Sequence, residues 1–176
     1  DILQEQPGLF LTSGFGVGVQ MQGLNPDYTL ILIDGEPLTG RTSGVLDLNR
    51  VTTGNIKKIE IVKGPSSSLY GSEALAGVIN IITDKSYEKK LNIAARYGTY
   101  NSLDANITAA GRVGKAGINI FFNQYNTDGY SIRPFSVERS KLPVSRSTPQ
   151  LQFNYPFSNK TSFNLSLRYN YEHIKN

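Results

Sequence analysis

The chain has 176 residues, a net charge of +4, one histidine and no cysteine. This length suits one ordinary domain, or a small domain with part of another. The absence of cysteine excludes a disulfide framework and a thiolate site, and the scattered Lys and Arg residues do not form the basic face of a nucleic-acid-binding protein. No apolar run approaches the roughly 18 residues of a transmembrane helix.

Composition changes near Ser86, because 12 of the 17 glycines precede it and eight of the ten tyrosines follow it. In the glycine-rich half, three short strands are predicted between tight turns, over residues 28–34, 56–62 and 77–83. The first strand ends at Asp34-Gly35, which is a strong turn dipeptide. The last is almost entirely apolar, as expected of a strand buried on both faces.

The middle strand of this half, residues 56–62, alternates in character and stops at Gly64-Pro65. Strict alternation places Ile56 on one side, and Ile59 and Ile61 on the other. The sequence therefore predicts that Ile56 lies on the face opposite to Ile59 and Ile61.

The tyrosine-rich half alternates between apolar and polar residues through five segments, with Phe121 interrupting the polar side. The segments are 91–97, 103–109, 118–122, 151–157 and 163–172. Their connections alternate between tight and longer, and the connection over 126–147 is the longest. Alternation of this kind is typical of outer-membrane strands with short turns on one rim, and equally of a soluble meander with one wet face.

Two further features favour the membrane alternative without deciding it. Tyrosines stand near the segment ends on the apolar side, where interfacial girdles lie; they are Tyr97, Tyr155, Tyr169 and Tyr171. The opposite side is mostly Asn, Thr, Ser and Arg, which suits a polar lumen. The last segment runs to the end of the chain without a closing turn, so we interpret the chain as a piece of a longer protein.

No catalytic or cofactor site is predicted. The Gly64 to Gly71 stretch lacks the spacing and the lysine of a phosphate loop, and "GFGVG" (14–18) lacks the strand and helix of a dinucleotide site. The only histidine, His173, lies in a strand-like segment far from the serine run 66–68, so neither a catalytic triad nor a His/Cys metal site is expected. A calcium site at Asp128 remains an open alternative. With that alternative set aside, the sequence predicts no enzyme, no cofactor and no metal.

The segments "LILIDGEPL" (30–38) and "IKKIEIVKGPSSSLYGSEALAGVINIITDK" (56–85) resemble the plug domain of TonB-dependent outer-membrane receptors, which include receptors for siderophores, haem and cobalamin. The resemblance covers about residues 6–85. Its turn motif comprises Gly64, Pro65, Tyr70 and Gly71. Three positions depart from the family pattern: Gln22 stands where Arg is common, Lys63 replaces Arg, and Ala76 replaces Gly. Lys63 keeps the charge but loses the bidentate fork of arginine.

The resemblance implies an α+β plug domain, a small mixed sheet with short helices, over residues 1–85 with its N-terminus missing. Residues 86–176 are then about the first five antiparallel strands of a 22-stranded outer-membrane β-barrel, here truncated. The barrel leaves an open lumen that a globular plug must occupy.

The same resemblance implies a transporter in the outer membrane of a Gram-negative bacterium. It would bind a scarce nutrient (an iron-siderophore, haem or cobalamin) and admit it to the periplasm with energy from TonB, through a box absent from this chain. Phe15, Arg41, Thr42 and Ser43 are the expected ligand contacts in the plug apex loops, with the loop around Asp128, Tyr130 and Arg133 closing over the ligand. Glu60 and Lys63 are expected to lock the plug to the barrel. The alternative is a non-transporting β-rich extracellular binding module, such as an adhesin or a carbohydrate-binding domain.

Overall fold

The computed structural model describes residues 3, 5–14, 16–40, 46, 48, 51–65, 70–131, 142–158 and 160–174. The chain divides into two compact units, Asp1–Asp84 and Lys85–Asn176. No helix in the described ranges is long and apolar enough to cross a membrane.

The first unit combines a β-hairpin with a four-stranded mixed sheet. Its elements are β1 (Leu9–Gly14), β2 (Gly16–Met21), a 3₁₀ turn (Pro26–Tyr28), β3 (Thr29–Ile33), β4 (Glu36–Pro37), β5 (Ile56–Lys63), a second 3₁₀ turn (Ser72–Ala74) and β6 (Gly77–Thr83). The sheet order is β4-β3-β6-β5, with β3 parallel to β6 and the other pairs antiparallel. The three predicted strands are β3, β5 and β6, and the predicted mixed sheet is confirmed.

The Asp34-Gly35 dipeptide makes the predicted turn, a two-residue hairpin between β3 and β4. Both residues have positive φ angles, 55° and 88°. A two-residue hairpin with left-handed backbone at both positions matches the right-handed twist of the strands it joins. Gly35 adopts that backbone without strain and Asp34 tolerates it.

A small buried cluster of Leu30, Leu32, Ala74 and Val78 lies on one face of this sheet, and the larger core of the first unit lies on the opposite face. Buried Ile79 and Ile81 of β6 pack there with Ile31 of β3 and Met21 of β2. The expectation for Ile56 is wrong, because Ile56 packs on the same core as Ile59 and Ile61. The pairing register shifts between Ile56 and Lys58, so a bulge inserts one residue and returns Ile56 to the core side.

The second unit is one antiparallel sheet. Its strands are β7 (Lys90–Gly98), β8 (Ser102–Val113), β9 (Ala116–Thr127), β10 (Val144–Pro156), β11 (Ser162–Arg168) and β12 (Tyr171–Ile174). Strands β7 to β11 pair in chain order, and β12 pairs with β10. The strands extend beyond the predicted segments: β9 runs to Thr127 and β10 begins at Val144, so the connection between them is shorter than expected.

Strands β11 and β12 occupy a single strand position. Gln150 pairs with Arg168 and Ser147 with Tyr171, which is one unbroken register. Between them Tyr169 donates its N–H to the carbonyl of Pro149 at 3.1 Å. Proline has no N–H to return the bond, so the ladder is interrupted there. The described residues thus fill five strand positions, in agreement with the five alternating segments of the sequence.

The two faces of this sheet have the opposite burial to those of a soluble sheet. The apolar face is exposed, with Leu91 and Ile93 at 67% and 68% exposure. The other face carries buried polar side chains: Asn106, Thr108, Asn119, Asn123, Arg146, Thr148, Gln150 and Gln152. A soluble meander buries its apolar face, whereas strands in a membrane turn it outward. The fold of the second unit is therefore that of outer-membrane barrel strands.

Candidate functional site

The most connected polar cluster of the first unit lies at the edge where β3 and β6 end. The Asp34 carboxylate accepts two bonds from Thr83, one from its backbone N–H at 2.9 Å and one from its hydroxyl at 2.6 Å. The Asp34 N–H in turn donates to the carbonyl of Ile81 at 2.9 Å. Parallel strands end at the same edge of a sheet, so residues 49 positions apart in sequence meet there. The carboxylate ties the β3 turn to β6.

A second chain of contacts extends from this cluster across β6 to β5. The Asn80 side chain accepts a bond from the Gly35 N–H at 3.1 Å and donates one to Glu60 at 3.2 Å. Lys58 also pairs with Glu60, at 2.5 Å. The hydrogen bond and the charge of Lys58 lower the pKa of the Glu60 carboxyl below its ordinary value of 4.5. Glu60 is therefore ionised at neutral pH and holds two partners at the edge strand of the sheet.

The turn motif closes the other end of the same sheet. Gly64 donates its N–H to the carbonyl of Ala76 at 3.0 Å, and Lys63 donates from its ammonium group to the carbonyl of Pro7 at 2.6 Å. Tyr70 is 45% exposed, and Gly71 precedes the second 3₁₀ turn with a φ of 79°. The described residues of this stretch, 63–65 and 70–71, thus contribute backbone geometry and one cation. The locking role of Glu60 and Lys63 remains a prediction.

The predicted ligand contacts Phe15, Arg41, Thr42 and Ser43 lie outside the described residues, as does Arg133 of the long connection. Asp128 and Tyr130 lie at the start of that connection. Asp128 donates its N–H to the carbonyl of Tyr100 at 3.0 Å, and the Tyr130 ring stacks on Tyr100 with centroids 5.0 Å apart. The beginning of the long connection is therefore tied to the β7–β8 turn at the same end of the sheet.

Charged residues form one row across the polar face of the second unit. The strand registers align Arg96, Asp104, Tyr125, Arg146 and Glu172 from β7 to β12. Arg96 approaches Asp104 at 3.5 Å with its own side chain largely exposed. Arg146 is buried and donates from Nε to Glu172 at 2.8 Å and also from its terminal nitrogen. The sequence reasoning missed this row, because its members come from different strands along the sequence and only the register aligns them.

The segment before β7 is seated on the polar face of β9. Asn119 donates to the carbonyl of Ser86 at 3.0 Å. Tyr87 lies over Gly117, where an added Cβ would come within 2.5 Å of the tyrosine Cγ. Burial raises the pKa of the Tyr87 phenol above its ordinary value of 10.0. The only sequence signal of this contact is Gly117, a glycine at a strand position that otherwise favours a side chain.

Removal of the Asp34 carboxylate is expected to loosen the β3–β6 edge. In Asp34→Ala, the N–H and the hydroxyl of Thr83 lose a charged acceptor, at a cost of about 2–3 kcal/mol. Hydrogen exchange of β6 amides in the full-length protein measures the loss. Glu36→Ala, on exposed β4, is the matched control and should leave β6 protection unchanged. Equal protection in both variants would contradict a structural role for Asp34.

The contacts among the described residues position strands and turns. No group of three or more His, Cys, Asp or Glu side chains in the described ranges is placed to hold a metal ion. The first unit is a small mixed sheet whose strands are joined by polar side-chain contacts. The second unit is an antiparallel sheet with an exposed apolar face and a buried polar face.

Comparisons with known proteins agree with this description. A family model described as the TonB-dependent Receptor Plug Domain matches residues 1–78. A vitamin B12 transporter BtuB of Vibrio cholerae serotype O1 is 31% identical over 140 residues, which is 76% of this chain and 23% of that protein. The BtuB of Vibrio vulnificus is 30% identical over 174 residues, covering 92% of this chain and 28% of the relative. The chain spans about a quarter of the length of these relatives.

Solved structures show the same fold at lower identity. The ferric enterobactin receptor PfeA superposes with a TM-score of 0.75 at 19% identity, covering 98% of this chain and 30% of that chain. The pyoverdine outer membrane receptor FpvA of Pseudomonas aeruginosa PAO1 gives 0.74 at 15% identity, covering 96% and 24%. These matches extend over both units.

Proposed function

Because the chain belongs to the TonB-dependent outer-membrane receptors of Gram-negative bacteria, we propose that it is the plug and the first barrel strands of a nutrient transporter. The observation that carries the proposal is one chain that joins a plug domain to a sheet whose apolar face is exposed and whose polar face is buried. The family consists of receptors and transporters. We therefore propose that this protein moves its ligand across the outer membrane and does not modify the ligand chemically.

The proposed ligand is cobalamin or another metal chelate, with cobalamin tested first. Support comes from the two relatives that are named vitamin B12 transporters and are 30–31% identical to this chain. The siderophore receptors among the structural neighbours make an iron chelate the second candidate ligand. Haem is the third candidate. Phe15, Arg41, Thr42 and Ser43 are the proposed plug contacts. Arg41 supplies a charged donor for the polar groups of such a ligand.

The proposed transport step is a rearrangement of the plug driven by TonB. Polar contacts suit it, because each hydrogen bond contributes only about 1 kcal/mol net and can be exchanged for another. Glu60 and Lys63 are proposed to meet barrel charges of opposite sign at rest. Glu60 pairs with Lys58 through an exposed ion pair, and such pairs contribute little, so Glu60 can change partners at small cost.

The test uses the full-length receptor. We expect saturable binding of one of cyanocobalamin, a ferric siderophore or haem by calorimetry, and uptake of that ligand only in cells with intact TonB. Arg41→Ala should weaken binding about ten-fold, as expected for loss of one charge-assisted hydrogen bond. Lys57→Ala, at an exposed position of β5, is the control and should bind normally. Binding of none of these ligands, or uptake independent of TonB, would reject the proposal.

A further inference from the structure

The segment that precedes β7 is fixed to β9, which is not the strand with which β7 pairs. Asn119 of β9 is 1% exposed and donates from its side chain to the carbonyl of Ser86 at 3.0 Å. The next residue of the segment, Tyr87, lies over Gly117 of the same strand. We call these two contacts the β9 anchor.

The segment reaches β9 by crossing β8. Lys90 pairs with Ala110 of β8, and Ala110 pairs on its other side with Asn119 of β9. Two strand spacings amount to about 10 Å. The four steps from Ser86 to Lys90 can cover about 13 Å when extended, which is enough. The anchor therefore bypasses the strand whose hydrogen bonds hold β7.

Gly117 provides the space that the tyrosine ring occupies. In the register it lies between Arg112 of β8 and Asn154 of β10. A Cβ at this position would lie 2.5–3.0 Å from three atoms of the Tyr87 side chain. The backbone of Gly117 is not left-handed, so the glycine is needed here for space and not for its conformational freedom. Any larger residue would displace the ring.

Strand β9 is better placed than β7 to bear a load. It pairs with both β8 and β10, whereas β7 pairs with β8 alone among the described strands. A pull on the N-terminal end of β7 would break its hydrogen bonds to β8 one after another, beginning at Lys90. A pull on the anchor is instead carried by a strand that is held on both sides.

The chain is also held immediately before the anchor. Thr83 donates two hydrogen bonds to the Asp34 carboxylate, and Asp84 donates its N–H to the carbonyl of Asn55 at 3.0 Å. Lys85 is the one residue between these contacts and the anchor. Tension along the chain would therefore pass from the end of β6 to the anchor within a few residues.

We propose that the β9 anchor is a fixed stop, which confines the TonB-driven rearrangement of the plug to the residues before Lys85 and keeps the pull from reaching β7. The ladder between β7 and β8 thereby stays intact while contacts of the plug are exchanged. The inference rests on the transport step of the proposed function. It adds the point in the chain at which the movement ends.

The first test locks the anchor in the full-length receptor with the pair Tyr87→Cys/Gly117→Cys. A Cβ at position 117 lies 3.0 Å from the Cβ of Tyr87, and a disulfide needs about 3.5–4.5 Å, so a small shift allows the bond. We expect the oxidised variant to take up nutrient as fast as the same variant after reduction, because the anchor stays closed throughout transport. Uptake that the disulfide blocks and reduction restores would overturn the proposal.

The second test requires no nutrient. The full-length receptor in a lipid bilayer is pulled from the N-terminal side of the plug, and the length of released chain is recorded. We expect release of the plug to stop at Lys85, and residues 85–89 to follow in a separate step of about 17 Å, at roughly 3.5 Å per residue. In Tyr87→Ala/Asn119→Ala this step should merge with release of the plug.

Glu88→Ala is the matched control for the pulling experiment. Glu88 lies in the same segment with its side chain exposed, and its N–H, which donates to the Ser86 hydroxyl, is kept in the variant. This variant should retain the separate step. A merged step in the unmodified receptor, or a separate step that survives in Tyr87→Ala/Asn119→Ala, would contradict the anchor.

The two tests keep this proposal apart from the proposed function. A receptor that takes up none of the tested nutrients in either redox state rejects the proposed function, and the pulling experiment then decides on the anchor. Uptake that the disulfide blocks rejects the anchor and leaves the transport proposal intact. Should the disulfide fail to form, the pulling experiment decides alone.

Discussion

Replacing Gly77 with alanine is expected to destabilise the plug by about 3–4 kcal/mol. Gly77 opens β6 with a φ of 146°, a backbone conformation that residues with a Cβ rarely adopt. An added Cβ would collide with the carbonyl oxygen of Val62 and lie 2.5 Å from Sδ of Met21. Strained backbone costs roughly 1–3 kcal/mol and overpacking a core a similar amount.

The Val62 contact decides the size of this effect. The Met21 side chain is flexible and could shift, although it is fully buried. Val62 cannot shift, because its backbone lies in the β5–β6 ladder, where it pairs with Val78. Relief of the collision therefore requires separating β5 from β6, a strand that contributes Val78, Ile79 and Ile81 to the buried core.

Gly64→Ala is the matched control for this substitution. Gly64 also has a positive φ, 96°, but a Cβ there would meet nothing within 4 Å. Its cost should be limited to backbone strain, about 1 kcal/mol. Hydrogen exchange of residues 77–83 in the full-length receptor compares the two variants. Equal losses of protection would show that the collision with Val62 contributes nothing.

The predictable parts of the fold are those set by neighbouring residues. The Asp34-Gly35 hairpin follows from two residues that accept left-handed backbone, and the five strand positions of the second unit follow from period-two alternation. The bulge at Ile56 was not predicted, because alternation assumes that each residue advances the strand by one pairing step. The interruption at Tyr169 was not predicted either, since its cause, the missing N–H of Pro149, lies on the neighbouring strand.

The candidate site was less predictable than the fold. Asp34 and Glu60 were recognised through motifs, but their partners Thr83 and Asn80 were not assigned any role. Those partners lie at the edge of a sheet whose parallel β3–β6 pairing no local pattern specifies. Alternation also left open which face of the second unit is exposed. The exposure of Leu91 and burial of Gln152 decided that question, because they depend on what covers each face and not on the order of residues along it.

Glu172→Ala is expected to destabilise the barrel strands by about 2–3 kcal/mol. Arg146 is 7% exposed and donates to the Glu172 carboxylate. Removing one member of a buried pair costs about 3–5 kcal/mol. The expected value is lower here because the Glu172 side chain keeps 21% of its exposure. Thermal unfolding of the full-length receptor in detergent, with hydrogen exchange of residues 144–147, measures the loss.

A second ion pair in the same row shows whether the effect depends on burial or on charge alone. Arg96 and Asp104 are also opposite in sign, but 67% of the Arg96 side chain is exposed. Exposed pairs contribute about 0–1 kcal/mol, so Arg96→Ala should change stability little. Comparable effects of Arg96→Ala and Glu172→Ala would mean that burial of Arg146 is not what makes its partner important.

The double replacement Arg146→Met/Glu172→Leu removes both charges and tests whether an unbalanced buried charge causes the loss of stability in Glu172→Ala. If the cost of Glu172→Ala arises from a buried charge without its partner, removing both charges should recover most of the lost stability, because a well-packed apolar pair is often as stable as a buried ion pair. Recovery would show that the pair is not required for folding of β10 and β12. A double variant as unstable as Glu172→Ala would instead show that the loss comes from packing and hydrogen bonding around β12, not from the charge of Arg146.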